Sequence, residues 1–421
     1  MFSPVALYFA LAQEETHSAL LDSCGWQGKT GGFYFMGFEA QEIIREWPPL
    51  AIQNSREPYA GFRDGWIGVL SYELNHLLEP SVPQAFRESP MGLAYFVRFK
   101  HRILWNPETG QYQILSDDPM WVEKVNHVLK EEPPERRPLL GWEGEIQQSM
   151  SQEIFEAQAA KILEEIQAGN LYQANLSLRF EISDISNNML PSIYEALIRQ
   201  NPSPFSGVFW TPEGIILSNS PERLVKYDAQ TNMIETRPIA GTRGRGQTVQ
   251  EDEEIGTRLQ ANPKELAEHA MLVDLERNDL GKVCIPGTVQ VKEEYSLEKY
   301  AHVTHLVSQI EGQKRPESSP WDIIQAMFPG GTITGCPKIR CMQTLAELEP
   351  VPRWLYTGSF GYIDISGNLD FNILIRSLFH WPDGRLHFHA GAGIVADSQP
   401  AWEYKECLRK AQTIRQVLGA C

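Results

Sequence analysis

The sequence is short of several things, and each shortage removes a class of function. No apolar run in its 421 residues is long enough to cross a bilayer, which takes about 20 consecutive apolar residues. Positive charge is scarce: 37 Lys and Arg stand against 54 Asp and Glu, a net charge of −17. That balance argues against nucleic acid and anionic membrane as main partners, since both call for a cationic surface. Cysteine is sparse as well. The six (Cys24, Cys284, Cys336, Cys341, Cys407 and Cys421) form no CxxC pair and no zinc-like spacing. They read as free thiols of a reducing cytoplasm. The N-terminal PVALYFALA has no Lys or Arg before it. It therefore lacks the charged start of a secretory signal and reads as a buried first strand.

Architectural signals are missing too. There is no internal repeat and no low-complexity tract. Strands and helices do not alternate regularly, which disfavours a doubly wound parallel sheet and predicts the α+β class. The Gly-rich FPGGTITGCPK (Phe328–Lys338) is not a nucleotide phosphate loop. Cys336-Pro337 stands where Lys-Ser/Thr is required, and Pro337 has no N–H to donate. No Ser-His-Asp elbow and no cysteine-nucleophile loop occur. His302 and His305 have HxxH spacing but no third ligand nearby, which speaks against zinc.

What is present falls into two parts. Residues 1–140 carry short β-like runs such as IGVLSYEL, LAYFVRF and QYQILS. Residues 150–421 mix helices and strands, and the two parts are expected to interweave in one body. The charged, Pro-rich KEEPPERRPLLGW (Lys130–Trp142) reads as a linker or long surface crossing. One amphipathic helix is predicted from Ser151, closed by Gly169. A second is capped by Asn262, with Pro263 in its first turn and Gly281 at its end. A third runs from Pro400 to the end. WLYTGSFGYIDIS and LDFNILIRSLFH read as strands joined through Gly367-Asn368.

Several groupings can carry chemistry. Glu403, Glu406 and Lys410, at i, i+3 and i+7, share one face of the last helix, and Glu265 and Glu268 form a similar pair in the earlier one. Two helices that each offer a carboxylate pair can grip one hard cation such as Mg²⁺ through oxygen ligands. A plainer reading stays open, in which Glu265 closes a capping box with Asn262 and Lys410 simply pairs with Glu406. HAGAGIVADS (His389–Ser398) leads into the last helix; its amides can meet a carboxylate, or it is a tight turn. RPIAGTRGRG (Arg237–Gly246) looks like an anion-gripping loop. Arg376, inside the apolar NILIRSLF, requires an anion from the protein or from a substrate. His305 is either a general acid or structural.

PIAGTRGRG, ELAEHAMLVDLERNDLGKV, YAHVTHLVSQIEG, FPGGTITGCPKIRCMQTLAELEP, YTGSFGYIDISGNLDFNILIRS and AGAGIVADSQPAWEYKE occur in the order found in the chorismate-utilising enzymes. The resemblance runs from about residue 150 to the end, with fainter matches at GWIGVLSYE and SNSPERLVKY. It implies two antiparallel β-sheets packed face to face with helices outside, and a Mg²⁺-dependent reaction on chorismate. By resemblance, Glu268 and Glu406 match direct metal ligands, and Glu265 and Glu403 match an outer pair holding metal-bound water. Arg376, Thr332, Tyr362, Lys410 and the amides of Ala392 and Gly393 match the groups that hold the substrate carboxylates. The Gly241-Thr242 turn is expected to meet a carboxylate as well. His305 matches a histidine near the departing C4 hydroxyl.

Members that add water use a lysine base, and Gln173 in GNLYQANLSLRF occupies that position. Ammonia is therefore the implied nucleophile, delivered by a separate glutamine amidotransferase subunit, as no glutaminase motif is present. PGGTITG, YTGSFGY and DFNILIR look like aminodeoxychorismate synthase component I, which serves para-aminobenzoate and folate synthesis. Two features lean toward anthranilate synthase component I instead. Ala240 stands where many aminodeoxychorismate synthases carry a nucleophilic lysine. Leu21, Asp22 and Ser23 resemble a tryptophan-site motif with Asp in place of Glu. A non-catalytic chorismate- or tryptophan-binding subunit is the alternative of a different class. The resemblance implies a cytoplasmic protein.

Overall fold

The computed structural model describes residues 2–24, 34–48, 62–84, 89–132, 145–300 and 302–419. The expected linker lies outside the described residues from position 133 onward, as does Cys421. The five described cysteines are free thiols.

The first element corrects the sequence reading. Pro4–Ala12 is a helix, α1, where a strand is predicted. Ser3 caps it by accepting from the Ala6 amide at 3.2 Å, and Pro4 occupies the first turn. The segment is apolar all round and buried on most sides, so periodicity could not separate helix from strand.

The strands before residue 150 are β1 (Ser18–Asp22), β2 (Tyr34–Ile44), β3 (Gly65–Leu70), β4 (Ala94–Asn106), β5 (Gln111–Leu115) and β6 (Gln147–Gln148). Next come β7 (Gln173–Ile182), β8 (Phe205–Thr211), β9 (Gly214–Ser220), β10 (Arg223–Asp228), β11 (Met233–Thr236) and β12 (Ile239–Gly244). The last are β13 (Gln290–Lys299), β14 (Val303–Gln313), β15 (Gly335–Cys336), β16 (Ser359–Asp364), β17 (Leu369–Asn372), β18 (Leu378–His380) and β19 (Leu386–Val395). All named pairings are antiparallel. One half of the ladder runs β7–β19–β18–β9–β8–β1–β2–β4. The other continues β4–β3–β16–β17–β10–β11–β14–β13. Strands from before residue 140 thus pair with strands from after 150, as β1 does with β8 and β3 with β16.

Alternation along each strand explains how this ladder makes layers. Ala19, Phe35, Ile216 and Phe379 point into one cluster with Ile67, Val69, Val97 and Phe360 from the other half. Phe209 meets Phe360 with ring centres 5.9 Å apart. The two halves therefore face each other as two antiparallel layers around a shared core. The neighbouring residues Leu20, Met36, Leu217 and Leu378 point outward into a second cluster, and Trp66, Leu70 and Phe96 into a third.

Helices cover those outer faces. They are α2 (Asn75–Leu78), α3 (Pro119–Val128), α4 (Gln152–Gln167), α5 (Leu190–Gln200), α6 (Val249–Gln260) and α7 (Pro263–Gly281). After them come α8 (Pro320–Met327), α9 (Gly331–Thr334), α10 (Lys338–Leu348) and α11 (Pro400–Val417). Ser151 caps α4 and Asn262 caps α7, as their sequences predict.

Two further expectations change. LDFNILIRSLFH is not one strand: it divides into β17 and β18, which pair with different neighbours. Between them the chain passes from one layer to the other, and Arg376 takes up a left-handed φ of 52° to make the turn. AGAGIVA is not a loop but the second half of β19, held along its length by β7.

Candidate active site

The four glutamates predicted as metal ligands come from α7 and α11. Glu268 is held above the usual carboxylate range by burial, with Lys264 opposing and Glu265, Asp397 and Glu403 adding to it. Lys264 bonds Asp397 at 2.9 and 3.0 Å and stands 4.0 Å from Glu268. Glu265 accepts from Arg243 at 2.6 Å, while Asn262 alone caps the helix, so Glu265 is not a capping-box partner. Glu403 accepts from Ser398 at 2.7 Å. Glu406 takes both bonds of the Arg409 fork at 2.8 Å. Among the described residues, no three His, Cys, Asp or Glu side chains gather tightly enough to enclose a metal as they stand. The donor set nevertheless suits a hard cation, because it is all carboxylate oxygen. Asp397 is a member of this acidic group that the sequence reading missed. Its type was legible, but its proximity to α7 comes from the turn between β19 and α11.

Lys410 links the acidic group to β19, whose residues are expected to meet the substrate carboxylates. Lys410 donates to the Gly391 carbonyl at 2.9 Å and stands 3.8 Å from Glu406. Along β19, the Val395 amide turns out to Ser398 and the Gly391 carbonyl to Lys410. On the paired strand, the Ser177 amide and Asn175 carbonyl likewise turn away, to Glu349 and Arg353. Backbone groups alternate in direction along a strand. The Gly391 and Gly393 amides therefore reach the open edge, whereas the Ala392 amide is spent on Leu176 in the ladder. Of the amides predicted at Ala392 and Gly393, only that of Gly393 faces away from the ladder, and the Gly391 amide shares its edge.

Among the described residues, no hydrogen bond or ion pair holds the Arg376 guanidinium; it feels the charges of Glu222 and Tyr300. Glu222 lies at the end of SNSPERL, a stretch noted only as a faint motif. Burial pushes its carboxyl up to about 7, against the opposing pull of Thr332, Arg376 and Lys410. Neither Thr332 Oγ1 nor Glu222 Oε1 completes a hydrogen bond of normal length. Gln173 Oε1, Asn175 Oδ1 and His305 Nε2 are also buried without partners. Such orphans are rare in folded chains, and these belong to the residues that neighbour Arg376, Gly391 and Gly393.

His305 sits in β14 opposite Thr242 of β12, with Nδ1 2.8 Å from Thr242 Oγ1. Burial, then the Arg376 charge, push its pKa down to about 3 against a backbone contact with Gly241, so the imidazole is neutral. Gly241 has φ +69°, and a Cβ there would meet Glu265 Oε2 at 2.8 Å. The arginines of the RPIAGTRGRG stretch are committed to protein carboxylates: Arg237 to Glu298, Arg243 to Glu265, and Arg245 to Asp252 at 2.7 and 2.9 Å. Of the predicted anion loop, only the Gly241-Thr242 turn remains at the site.

Gln173 begins β7 and presents its side chain to Gly393, where a Cβ would lie 2.5 Å from Nε2. Tyr362 is not brought to this site. It packs on Phe62 at 4.6 Å and, with Leu21, Asp22 and Ser23, lines a separate cavity of about 140 Å³. Tyr356 stands beside β19 instead, where its hydroxyl would meet a Cβ on Gly391 at 2.9 Å. The Asp22 carboxyl, in the separate cavity, is already engaged. It accepts from the Cys24 amide at 2.7 Å and from Tyr194 at 3.4 Å, and burial pushes it up to about 6.

Known proteins resemble this chain along most of its length. The profile of a family described as chorismate binding enzyme matches residues 26–416. The chain is 43% identical to an anthranilate synthase component I-like protein of Synechocystis sp. over 365 residues, covering 85% of this chain and 73% of that one. It is 38% identical to aminodeoxychorismate synthase component 1 of Bacillus subtilis, covering 89% and 81%. It is 43% identical to anthranilate synthase component 1 of Synechocystis sp., covering 99% and 94%. Among solved structures, anthranilate synthase component I from Streptococcus pneumoniae superposes with a TM-score of 0.78 at 27% identity, covering 95% and 90%. The fold is also that of the menaquinone-specific isochorismate synthase of Escherichia coli, with a TM-score of 0.74 at 17% identity, covering 99% and 91%. A family profile over residues 26–416 and relatives of this identity and coverage place the sequence among the chorismate-utilising enzymes: the chain is a member of the chorismate-binding enzyme family.

Proposed function

We propose that this chain aminates chorismate with ammonia to give 4-amino-4-deoxychorismate, with Mg²⁺ as cofactor and a glutamine amidotransferase subunit as its ammonia source. The observation that carries amination is Gln173, whose amide lies against Gly393 at the open edge of β19. An amide cannot deprotonate water, whereas ammonia needs no such base. Arg376 and Lys410 offset the dianion, and the Gly391 and Gly393 amides add donors. Mg²⁺ would be held by Glu268 and Glu406, with Glu265 and Glu403 outside, and would neutralise one substrate carboxylate. Glu222 is the group that still carries a proton near neutrality, and it gives that proton to the departing C4 hydroxyl. His305, neutral and fixed by Thr242, positions that hydroxyl through Nε2.

The motifs PGGTITG, YTGSFGY and DFNILIR support the product assignment, as does the aminodeoxychorismate synthase relative. A second reading, anthranilate formation, is favoured by Ala240 and by the relatives named anthranilate synthase. The unpaired polar atoms beside Arg376, Gly391 and Gly393 weigh against a non-catalytic regulatory subunit. The deciding assay incubates the purified chain with chorismate, Mg²⁺ and ammonium chloride and identifies the product by mass. The expected product retains the enolpyruvyl side chain. Anthranilate and pyruvate, formed with no lyase added, would overturn the assignment in favour of the second reading.

A further inference from the structure

Glu276 of α7 is buried, with 4% of its surface exposed, yet among the described residues no ion pair holds it. Lys338, whose charge it feels, is bonded to Asp279 and to the Met327 carbonyl. Its two oxygens have uncharged partners instead. The Gly331 amide donates to it, and a Cβ on Gly331 would lie 3.4 Å from Oε1. Gly331 opens α9, and the first amides of a helix need acceptors from outside it. Oε2 lies 3.4 Å from Thr236 Oγ1. The Thr236 hydroxyl has a single hydrogen, and the Leu224 carbonyl takes it at 2.9 Å. The contact with Glu276 is then completed by a proton on the carboxyl. Burial pushes the same carboxyl up to about 8 against the pull of Lys338, with Asp279 and Glu222 adding to the rise.

The residue after Gly331 is Thr332, whose side chain acts on Glu222. The α9 turn that carries it is seated tightly. A Cβ on Gly331 would come within 2.2 Å of Leu275 Cδ2 on α7, and one on Gly330 within 2.7 Å of Ile373. A change at Glu276 is therefore passed through Gly331 to Thr332.

We propose that Glu276 is a positioning residue that works as a neutral carboxylic acid: it takes the Gly331 amide on one oxygen, donates to Thr236 from the other, and so aims Thr332 at Glu222 and the substrate. The proposal rests on the chorismate reading of this site but not on which product forms. The charged groups around Glu276 are Lys338 of α10, Asp279 of α7 and Glu222 just before β10. Asp279 already offsets Lys338. An ionised Glu276 would add a second negative charge beside Glu222 and oppose a dianionic substrate.

The test is kcat/KM for chorismate of the full chain at saturating ammonia and Mg²⁺, from about pH 6 to about pH 9. Glu276→Leu removes both hydrogen bonds at similar volume and is expected to lower kcat/KM about tenfold or more at every pH. Glu276→Gln keeps an acceptor for Gly331 and a donor for Thr236, and is expected to recover most of that loss at acid pH. In the unmodified chain kcat/KM should fall in two steps as pH rises, through about 7 for Glu222 and about 8 for Glu276. Glu276→Gln should keep the first step and lose the second. A folded Glu276→Leu with unchanged kcat/KM would overturn the positioning role. Glu276→Gln as impaired as Glu276→Leu at acid pH, or still showing both steps, would overturn the neutral acid. If Glu276→Leu does not fold, the profile of the isosteric Glu276→Gln decides. An unmodified chain that does not turn over chorismate would sink the reading of the site itself, a result distinct from these.

Discussion

Glu222 makes the sharpest residue-scale prediction. A buried carboxyl at about 7, ranged against Thr332, Arg376 and Lys410, is protonated below neutrality and ionised above it. If it supplies the proton that C4 needs, kcat falls as pH rises through about 7. Glu222→Gln should lower kcat by about 100-fold and abolish that limb of the profile. A variant that keeps both the rate and the limb would return the role to His305. Gln173 allows a complementary test. Gln173→Lys places a base where water activation requires one, so in isotopically heavy water without ammonia the chain should begin to exchange a chorismate hydroxyl for solvent oxygen, read as label gained in the product by mass. Glu268→Gln removes a ligand from the acidic edge and should raise the Mg²⁺ concentration needed for half-maximal turnover by about tenfold or more. Unaltered Mg²⁺ dependence would show that the cation binds elsewhere.

At the scale of elements, β19 is the platform of the site. It is clamped to β7 on one edge, and its other edge offers the Gly391 and Gly393 amides beside Lys410. Glycine is required at 391 because a Cβ would come within 2.2 Å of Asn175 Oδ1 and 2.9 Å of the Tyr356 hydroxyl. Gly391→Ala should push both groups into the substrate space. The expected outcome is a rise of about tenfold or more in the KM for chorismate, with a stability loss of about 1–3 kcal/mol from overpacking, read by kinetics and urea unfolding together. A normal KM in a destabilised variant would mean that the strand is structural and the substrate lies elsewhere. The α7 and α11 helices each supply two of the predicted ligands, and burial, with Glu265 of α7 and then Asp397 and Glu403 adding to it, raises Glu268.

For the whole molecule, the doubled ladder buries acids deeply enough to make stability depend on pH. Glu222 is raised to about 7, and burial also pushes Glu276 up against the opposing charge of Lys338. Both stay protonated in the folded chain at pH values where an unfolded carboxyl is ionised. The folded state then binds more protons at these two sites, so their contribution is fully present below the usual carboxylate range and is lost as pH rises through about 7. For Glu222 the loss amounts to at most about 3 kcal/mol. Urea unfolding should show a less stable chain at mildly alkaline than at mildly acidic pH, and Glu222→Gln should flatten the difference. Equal stability at both would show that these acids are solvated. The inter-layer core makes a separate prediction: Phe360→Ala, at the contact with Phe209, should cost about 3–5 kcal/mol.

Much of this was legible in the one-dimensional pattern. The capped helices, the hairpins and the α+β class follow from Ser151, Asn262, Gly367-Asn368 and strand alternation, all of which act within a few residues. The ordered motifs also carried the family and most of the site's residue types. Legibility ended where an outcome depended on separate segments meeting. PVALYFALA read as a strand, because an all-apolar run has no period and only its surroundings choose its form. Ala392 was preferred to Gly391, because which amide points outward is decided by the register with β7. Tyr362 was named and Tyr356 was not, because only packing shows that Tyr362 faces the Asp22 cavity while Tyr356 faces Gly391. Glu222 and Asp397 were plain acids in the sequence. Burial and neighbours from distant segments give them their chemistry, because electrostatic surroundings belong to the packed molecule.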